Sequence, residues 1–136
     1  MRPPDKFDEV CAVVMAYCSE RGWDKTNSSR SLAISLSLEA NELLELYQWT
    51  EDPSGSVSEL ADELADILIY TIQFAVKNEI DLLQAVRDKV SKVRLKYPVD
   101  LFETDDISIQ HKRWLEAKRL HDDQGDPPIR DGITDR

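Results

Sequence analysis

The chain has few of the residues that break helices or cross-link loops. Its 136 residues include only 4 glycines, 6 prolines and 2 cysteines. Cys11 and Cys18 lie seven residues apart in a stretch with helical periodicity, which places about 10 Å of helical rise between them and excludes a local disulfide. We therefore expect free thiols and a cytoplasmic location, where thiols stay reduced.

Long apolar runs and an excess of positive charge are also absent. The 27 acidic and 17 basic residues give a net charge of −10, which argues against a protein that coats nucleic acid or binds an anionic membrane. No apolar stretch approaches the ~20 residues that span a bilayer. The first residues, MRPPDKFDEV, do not form a basic region followed by an apolar run, so no secretory signal is expected.

Apolar residues recur at three- and four-residue steps along most of the chain, a spacing that predicts helices. The predicted helices cover about residues 5–21, 31–50, 56–77 or 58–77, 81–96 and 105–121. A short polar segment precedes the second helix, and a breaker with Pro53 and Gly55 precedes the third. Few β-branched runs alternate at period two, so the predicted fold class is all-α.

Two carboxylate pairs at helical spacing are the most informative feature. Glu39 and Glu42 fall in the second predicted helix, and Glu63 and Asp66 fall in the third. Residues three apart share one helix face, so each pair directs two like charges beside an apolar surface, where unpaired carboxylates are costly to desolvate. A divalent cation held between the helices would relieve that cost. Oxygen donors alone favour Mg²⁺, or Mn²⁺, over Zn²⁺.

Either pair alone could be an ordinary solvated face of an acidic helix. For one Glu-x-x-Glu motif in a charged protein that interpretation is the better one, but two pairs on consecutive apolar helices favour a metal site. The Glu-x-x-His pattern of di-iron bundles is absent from these stretches.

Several motifs in order resemble those of the MazG-like, all-α nucleoside triphosphate pyrophosphohydrolases, especially the small dCTP pyrophosphatase-like branch. They are Glu-Arg-Gly-Trp before the second helix, Glu39-x-x-Glu42 followed by Leu-x-Gln-Trp, Glu63-x-x-Asp66 followed by Leu-Ile-Tyr, and Lys-Tyr-Pro. The resemblance covers roughly residues 21–98. It implies a four-helix MazG-like bundle with an additional peripheral C-terminal helix, assembled as a homodimer or homotetramer. We expect residues 1–122 to form a single domain and residues 123–136 a flexible polar tail.

The activity implied by the resemblance is Mg²⁺-dependent hydrolysis of a nucleoside triphosphate to the monophosphate and pyrophosphate, in a house-cleaning role for the nucleotide pool. The metal ligands of the family correspond to Glu39, Glu42, Glu63 and Asp66. Glu45, or one of the four not fully used by metal, could activate the attacking water. A solvated or salt-bridged Glu45 is the alternative.

The resemblance also assigns substrate contacts. Arg30, Lys89 and Arg94 match basic positions that would meet phosphate oxygens, although a surface cation is the default for such residues. Trp23, Trp49 and Tyr70 match aromatic positions that stack on the base; of these, Tyr70 could instead belong to the core, and Trp23 is the preferred base contact.

The chain departs from close relatives around the expected base and sugar pocket. It has Thr26 and Asn27 in place of a Phe-His pair, and Ser31 and Val93 in place of asparagines. These departures leave the specificity for cytosine and for deoxyribose open. They also leave a second functional class open, a non-catalytic metal-dependent nucleotide-binding or helical interaction module.

Overall fold

In the computed structural model, which describes residues 6–124, every regular element is a helix. The α-helices are α1 (Lys6–Glu20), α2 (Trp23–Thr26), α3 (Ser29–Glu45), α4 (Val57–Lys77), α5 (Leu82–Lys96) and α6 (Ile107–Gln124). A 3-10 turn at Val99–Phe102 precedes α6. The predicted all-α fold class is therefore confirmed. None of the helices within residues 6–124 combines the length and apolar character needed to cross a bilayer.

Local capping explains where α3 and α4 begin. The Ser28 hydroxyl accepts a hydrogen bond from the Ser31 backbone N–H at 3.0 Å. The start of α4 is a reciprocal capping box in which the Ser56 hydroxyl accepts from the Glu59 N–H, and a Glu59 carboxylate oxygen accepts from the Ser56 N–H at 2.6 Å. Both caps satisfy backbone donors that a helix start leaves unpaired.

The second predicted helix differs from α3 at both ends. It was expected over residues 31–50, but α3 starts at Ser29 and ends at Glu45. The Leu46 carbonyl accepts a 2.7 Å hydrogen bond from the Ser54 N–H, which closes a loop where further helical turns were predicted. The polar segment before α3 also contains an unpredicted single turn, α2.

The described residues divide into two compact units, one ending at Leu82 and the other beginning at Leu83. In the first unit α4 packs against both α1 and α3. Its core cluster consists of Val14, Cys18 and Ile72. Because α4 is the shared partner, the orientation of α3 side chains toward α4 is fixed by the packing of this unit.

The second unit contains α5, the 3-10 turn and α6. The Tyr97 ring stacks on the Trp114 ring with 6.2 Å between centroids and 11° between planes. An Arg113 guanidinium N–H donates to the Leu101 carbonyl at 2.9 Å. These interactions pack α6 against the 3-10 turn. The single domain expected for residues 1–122 stays a prediction; of the expected tail, residues 125–136 lie outside the described residues, while Asp123 and Gln124 close α6.

Candidate functional site

The interface between α3 and α4 brings acidic side chains from both helices together. Glu39, Glu63 and Asp66 each place a carboxylate oxygen within 4.8 Å of the others. Glu39 and Glu63 are half-buried. The helical spacing of Glu63 and Asp66 puts both on one face of α4, and the packing of α3 adds Glu39 to them.

Glu63 is the least compensated member of this cluster. Its Oε2 atom is buried and has no hydrogen-bond partner among the described residues. Buried carboxylate oxygens normally accept hydrogen bonds or bind a cation, since desolvation without a partner is costly. The orphaned oxygen therefore points to a positively charged ligand.

The same environment raises two pKa values. The pKa of Glu39 lies above its usual range because of burial first, and then because of the charges of Glu42, Asp66 and Glu63. The pKa of Glu63 is raised by burial first, and then by Glu42, Asp66, Asp62 and Glu45. Burial and like charges both disfavour the ionised form, so a bound cation would reverse this effect.

The donor set fits a hard divalent cation. Three carboxylates from two helices supply oxygen atoms only, the ligands preferred by Mg²⁺ and Mn²⁺. Glu42 and Glu45 lie outside the group of three and are exposed on α3. Both are close enough to Glu63 for their charges to raise its pKa, so they border the cluster and could bind a water beside it.

The three predicted aromatic contacts occupy different environments. Trp23 in α2 is 40% exposed and meets the Tyr17 ring edge-on with 5.5 Å between centroids. Tyr70 is half-buried on α4, one turn beyond Asp66. Trp49 lies in the loop after α3 and is 85% exposed, so it has no core role in the described structure.

The three predicted cations are all exposed. Arg30 lies in the first turn of α3, in the same unit as the carboxylates. Lys89 and Arg94 lie on α5, in the second unit. The roles of all three stay predictions.

One polar residue near the cluster has no counterpart among the predicted site residues. Gln73 lies on α4, seven residues beyond Asp66, and its side chain is buried. Asn27 donates a hydrogen bond from Nδ2 to Gln73 Oε1 at 3.4 Å. The sequence signal was a glutamine within an apolar helical run, in helical register with Asp66 and Tyr70.

A family model described as the MazG-like family matches residues 34–112 of this chain. Mouse dCTP pyrophosphatase 1 is 33% identical over 107 residues, which cover 73% of this chain and 63% of the mouse protein. The bovine protein of the same name is 38% identical over 103 residues, covering 70% of this chain and 61% of that protein. The chain therefore spans less than two thirds of the length of these relatives.

A solved structure gives a comparison over nearly the whole of its own chain. It is a pyrophosphatase from Archaeoglobus fulgidus DSM 4304, with a TM-score of 0.63 and 31% sequence identity. The match covers 72% of this chain and 97% of the archaeal chain. Both the fold and the sequence of this chain are thus similar to those of a pyrophosphatase.

Proposed function

This chain belongs to the MazG-like family, and we propose that it hydrolyses a nucleoside triphosphate to the monophosphate and pyrophosphate with Mg²⁺ as cofactor. The observation that carries the proposal is the convergence of Glu39, Glu63 and Asp66 at the interface of α3 and α4. A dCTP-like substrate is part of the proposal, since mouse and bovine relatives are dCTP pyrophosphatases.

A triphosphate is an anion, so its hydrolysis here needs a positively charged group that binds the phosphates. Glu39, Glu63 and Asp66, with Glu42 beside them, would hold Mg²⁺ or Mn²⁺. The bound ion supplies charge neutralisation and orientation of the phosphates. An acidic protein of net charge −10 would otherwise repel a polyphosphate.

The attacking water needs an acceptor for its proton. Glu42 and Glu45 are exposed and border the cluster, so either carboxylate can accept a hydrogen bond from a water that enters from solvent. In this role one of them orients the water and takes its proton. Glu45 has both oxygens for this purpose, whereas Glu42 would use an oxygen that the metal does not occupy.

Basic side chains would bind the phosphate oxygens that the metal does not cover, and aromatic side chains would bind the base. Arg30, Lys89 and Arg94 bind phosphate oxygens in the proposed complex. Trp23, Trp49 and Tyr70 contact the base, because flat rings stack on any nucleobase. The exposure of Trp49 supports a ligand-binding role over a packing role.

We also propose that the protein assembles as a homodimer or homotetramer. Both helices of the site expose leucines: Leu38 is 55% exposed on α3, and Leu64 and Leu68, four residues apart on α4, are 56% and 41% exposed. Apolar surface of this kind is typical of interfaces between subunits. A cytoplasmic location and a house-cleaning role in the nucleotide pool complete the proposal.

Pyrophosphate release from a panel of canonical and modified nucleoside triphosphates tests the function. We expect turnover with Mg²⁺ that disappears with EDTA and in Asp66→Asn. A matched control, Asp62→Asn, makes the same change on α4 outside the group of three ligands and should keep turnover. Nucleotide binding without turnover on any substrate would favour a metal-dependent nucleotide-binding module instead, with the altered positions Asn27 and Val93 as the first place to look.

A further inference from the structure

Gln73 is the one polar or charged residue that the fold buries within residues 6–124, with 6% of its surface exposed. Its neighbours in sequence are Ile72, which is also buried, and Phe74. An amide in such a position loses its hydration and needs hydrogen-bond partners in return. The burial of Gln73 therefore carries a desolvation cost that its hydrogen bonds must offset.

The hydrogen bonds made by Gln73 do not use its full capacity. Within the described residues its side chain makes one hydrogen bond, accepting from Asn27 Nδ2 at 3.4 Å, which is beyond the usual range for such a bond. A glutamine amide carries two N–H donors in addition to the oxygen. The Gln73 NH₂ group and the Asn27 Oδ1 atom thus remain available, side by side, as a donor and an acceptor.

The distance along α4 between the carboxylates and this amide pair matches the length of part of a nucleotide. Asp66, Tyr70 and Gln73 lie at helical register on one face of α4, and two turns, about 10 Å of rise, separate the first from the last. This is comparable to the span of a sugar and base beyond the α-phosphate. With phosphates at the carboxylates, a base extended along α4 would come to Gln73.

An aromatic residue adjoins the pair on its other side. The Asn27 backbone N–H donates to the Trp23 carbonyl at 3.0 Å, so Asn27 caps the C-terminus of the single turn that Trp23 begins. Two further hydrogen bonds join this region to the C-terminal end of α4. Lys77 donates to the Asp24 carbonyl at 3.4 Å, and the hydroxyl of Ser29, the first residue of α3, donates to Oδ1 of Asn78, the C-cap of α4, at 3.0 Å. Trp23 and Asn27 are thus held near the C-terminal half of α4.

We propose that Asn27 and Gln73 form an amide pair that reads the hydrogen-bonding edge of the nucleobase, and so determine the base specificity of this protein. The inference rests on the proposed function, because it takes a nucleotide as the ligand. The Gln73 NH₂ group donates to an acceptor on the base edge, and Asn27 Oδ1 accepts from a donor beside it. A site built this way discriminates among bases, since a mismatched edge leaves a buried amide unpaired.

Calorimetric binding of CMP, UMP, AMP and GMP, with inorganic phosphate as the base-free probe, tests the pair without requiring turnover. We expect the wild-type protein to prefer one base by about tenfold or more in Kd, and Gln73→Leu to reduce the preference to about twofold. Asn27→Ala should weaken the preference in the same direction. Gln73→Glu keeps the oxygen that accepts from Asn27 but loses the N–H donors, so it should change which base is preferred.

The matched control is Gln84→Leu, which makes the same change at an exposed glutamine of α5 and should leave the Kd ratios unchanged. Asn27 is only half-buried, so Asn27→Ala provides the test if Gln73→Leu does not fold. The inference is overturned if the wild type binds all four monophosphates equally, binds none of them, or if either variant keeps the wild-type ratios.

Pyrophosphate release on the same proteins separates this inference from the proposed function. A wild type that binds one base selectively, loses that selectivity in Gln73→Leu and releases no pyrophosphate would contradict hydrolysis and support the amide pair. A wild type that hydrolyses all four triphosphates at equal rates would contradict the amide pair and support hydrolysis.

Discussion

Glu39 of α3 and Glu63 of α4 face each other with carboxylate oxygens within 4.8 Å, and burial raises the pKa of both. Neither has a cation beside it among the described side chains that accounts for this proximity. The two helices are packed together in spite of this pair. Burial of apolar side chains in this unit, including Leu32 of α3 and Ile72 of α4, offsets the repulsion. The pair is thus a point of strain at the proposed active site.

Replacing Glu63 with glutamine should separate stability from activity. Glu63→Gln removes one of the repelling charges, so the metal-free protein should melt a few degrees higher than the wild type. The increase in melting temperature that Mg²⁺ causes in the wild type should shrink, and kcat should fall about 100-fold or more. Calorimetry with and without Mg²⁺ and a pyrophosphate assay give the three readouts; wild-type activity in this variant would contradict the ligand assignment.

The capping box at the start of α4 should make stability sensitive to acid. Hydrogen bonds from Ser56 hold the pKa of Glu59 below its ordinary value of 4.5. The stabilisation from this group is present above pH 4.5 and is lost as the pH falls through the lower, folded-state pKa. Urea unfolding between pH 6 and pH 3 should show a smaller loss of stability in Glu59→Gln than in the wild type. Equal losses in the two proteins would contradict this.

Ser56→Ala tests the other half of the same box. Loss of the hydroxyl that accepts from the Glu59 N–H should cost about 1 kcal/mol at pH 7. The exposed Ser58, two residues further along, provides the control, and Ser58→Ala should change the free energy of unfolding by less than about 0.5 kcal/mol. Urea titrations monitored by circular dichroism measure both values.

Gly22 should be sensitive to substitution for a purely conformational reason. Its φ of 69° and ψ of 13° are left-handed, and a Cβ there would meet no atom within 4 Å. Gly22→Ala should therefore destabilise by about 1 kcal/mol, the cost of the left-handed region for a residue with a Cβ. Gly22→Asn should cost less, since asparagine tolerates this region. Equal stability of Gly22→Ala and the wild type would be inconsistent with the turn.

Trp49 should matter for the ligand and not for the fold. Because 85% of its surface is exposed, Trp49→Ala should change the free energy of unfolding by less than about 0.5 kcal/mol. Under the proposed function the KM for the triphosphate should rise while the melting temperature stays constant. An unchanged KM would remove Trp49 from the base-contact residues.

The helix ends that local chemistry determines were predicted well. The sequence left Ser56 and Ser58 open as caps for α4 and placed its last residue near Lys77; Ser56 and Asn78 are the caps. These positions were predictable because a capping hydroxyl and an asparagine act within one turn of their own positions. The end of α3 was predicted five residues too late, since apolar Leu46, Tyr47 and Trp49 continue a helical pattern that the loop-closing bond at Leu46 interrupts. A single turn such as α2 is too short to produce periodicity.

The same difference between local and tertiary information applies to the site. Helical spacing was sufficient to align Glu63 with Asp66, and the packing of α3 brings Glu39 to them, while Glu42 lies outside this group. The assignment of these residues as metal ligands stays a prediction. The hydrogen-bond partner of Gln73 was not predictable in this way, because that partner, Asn27, lies 46 positions away in sequence. Only the packing of the α2 segment against α4 brings them together.

The cluster takes its ligands from two helices that a loop connects, Glu39 on one side and Glu63 with Asp66 on the other. An ion bound there would close a ring through that loop and act as a reversible cross-link, restricting the unfolded chain as a disulfide does, but without thiols. Proteases cleave chains that open. The lifetime of such a protein in the cell would therefore follow the concentration of free divalent cation.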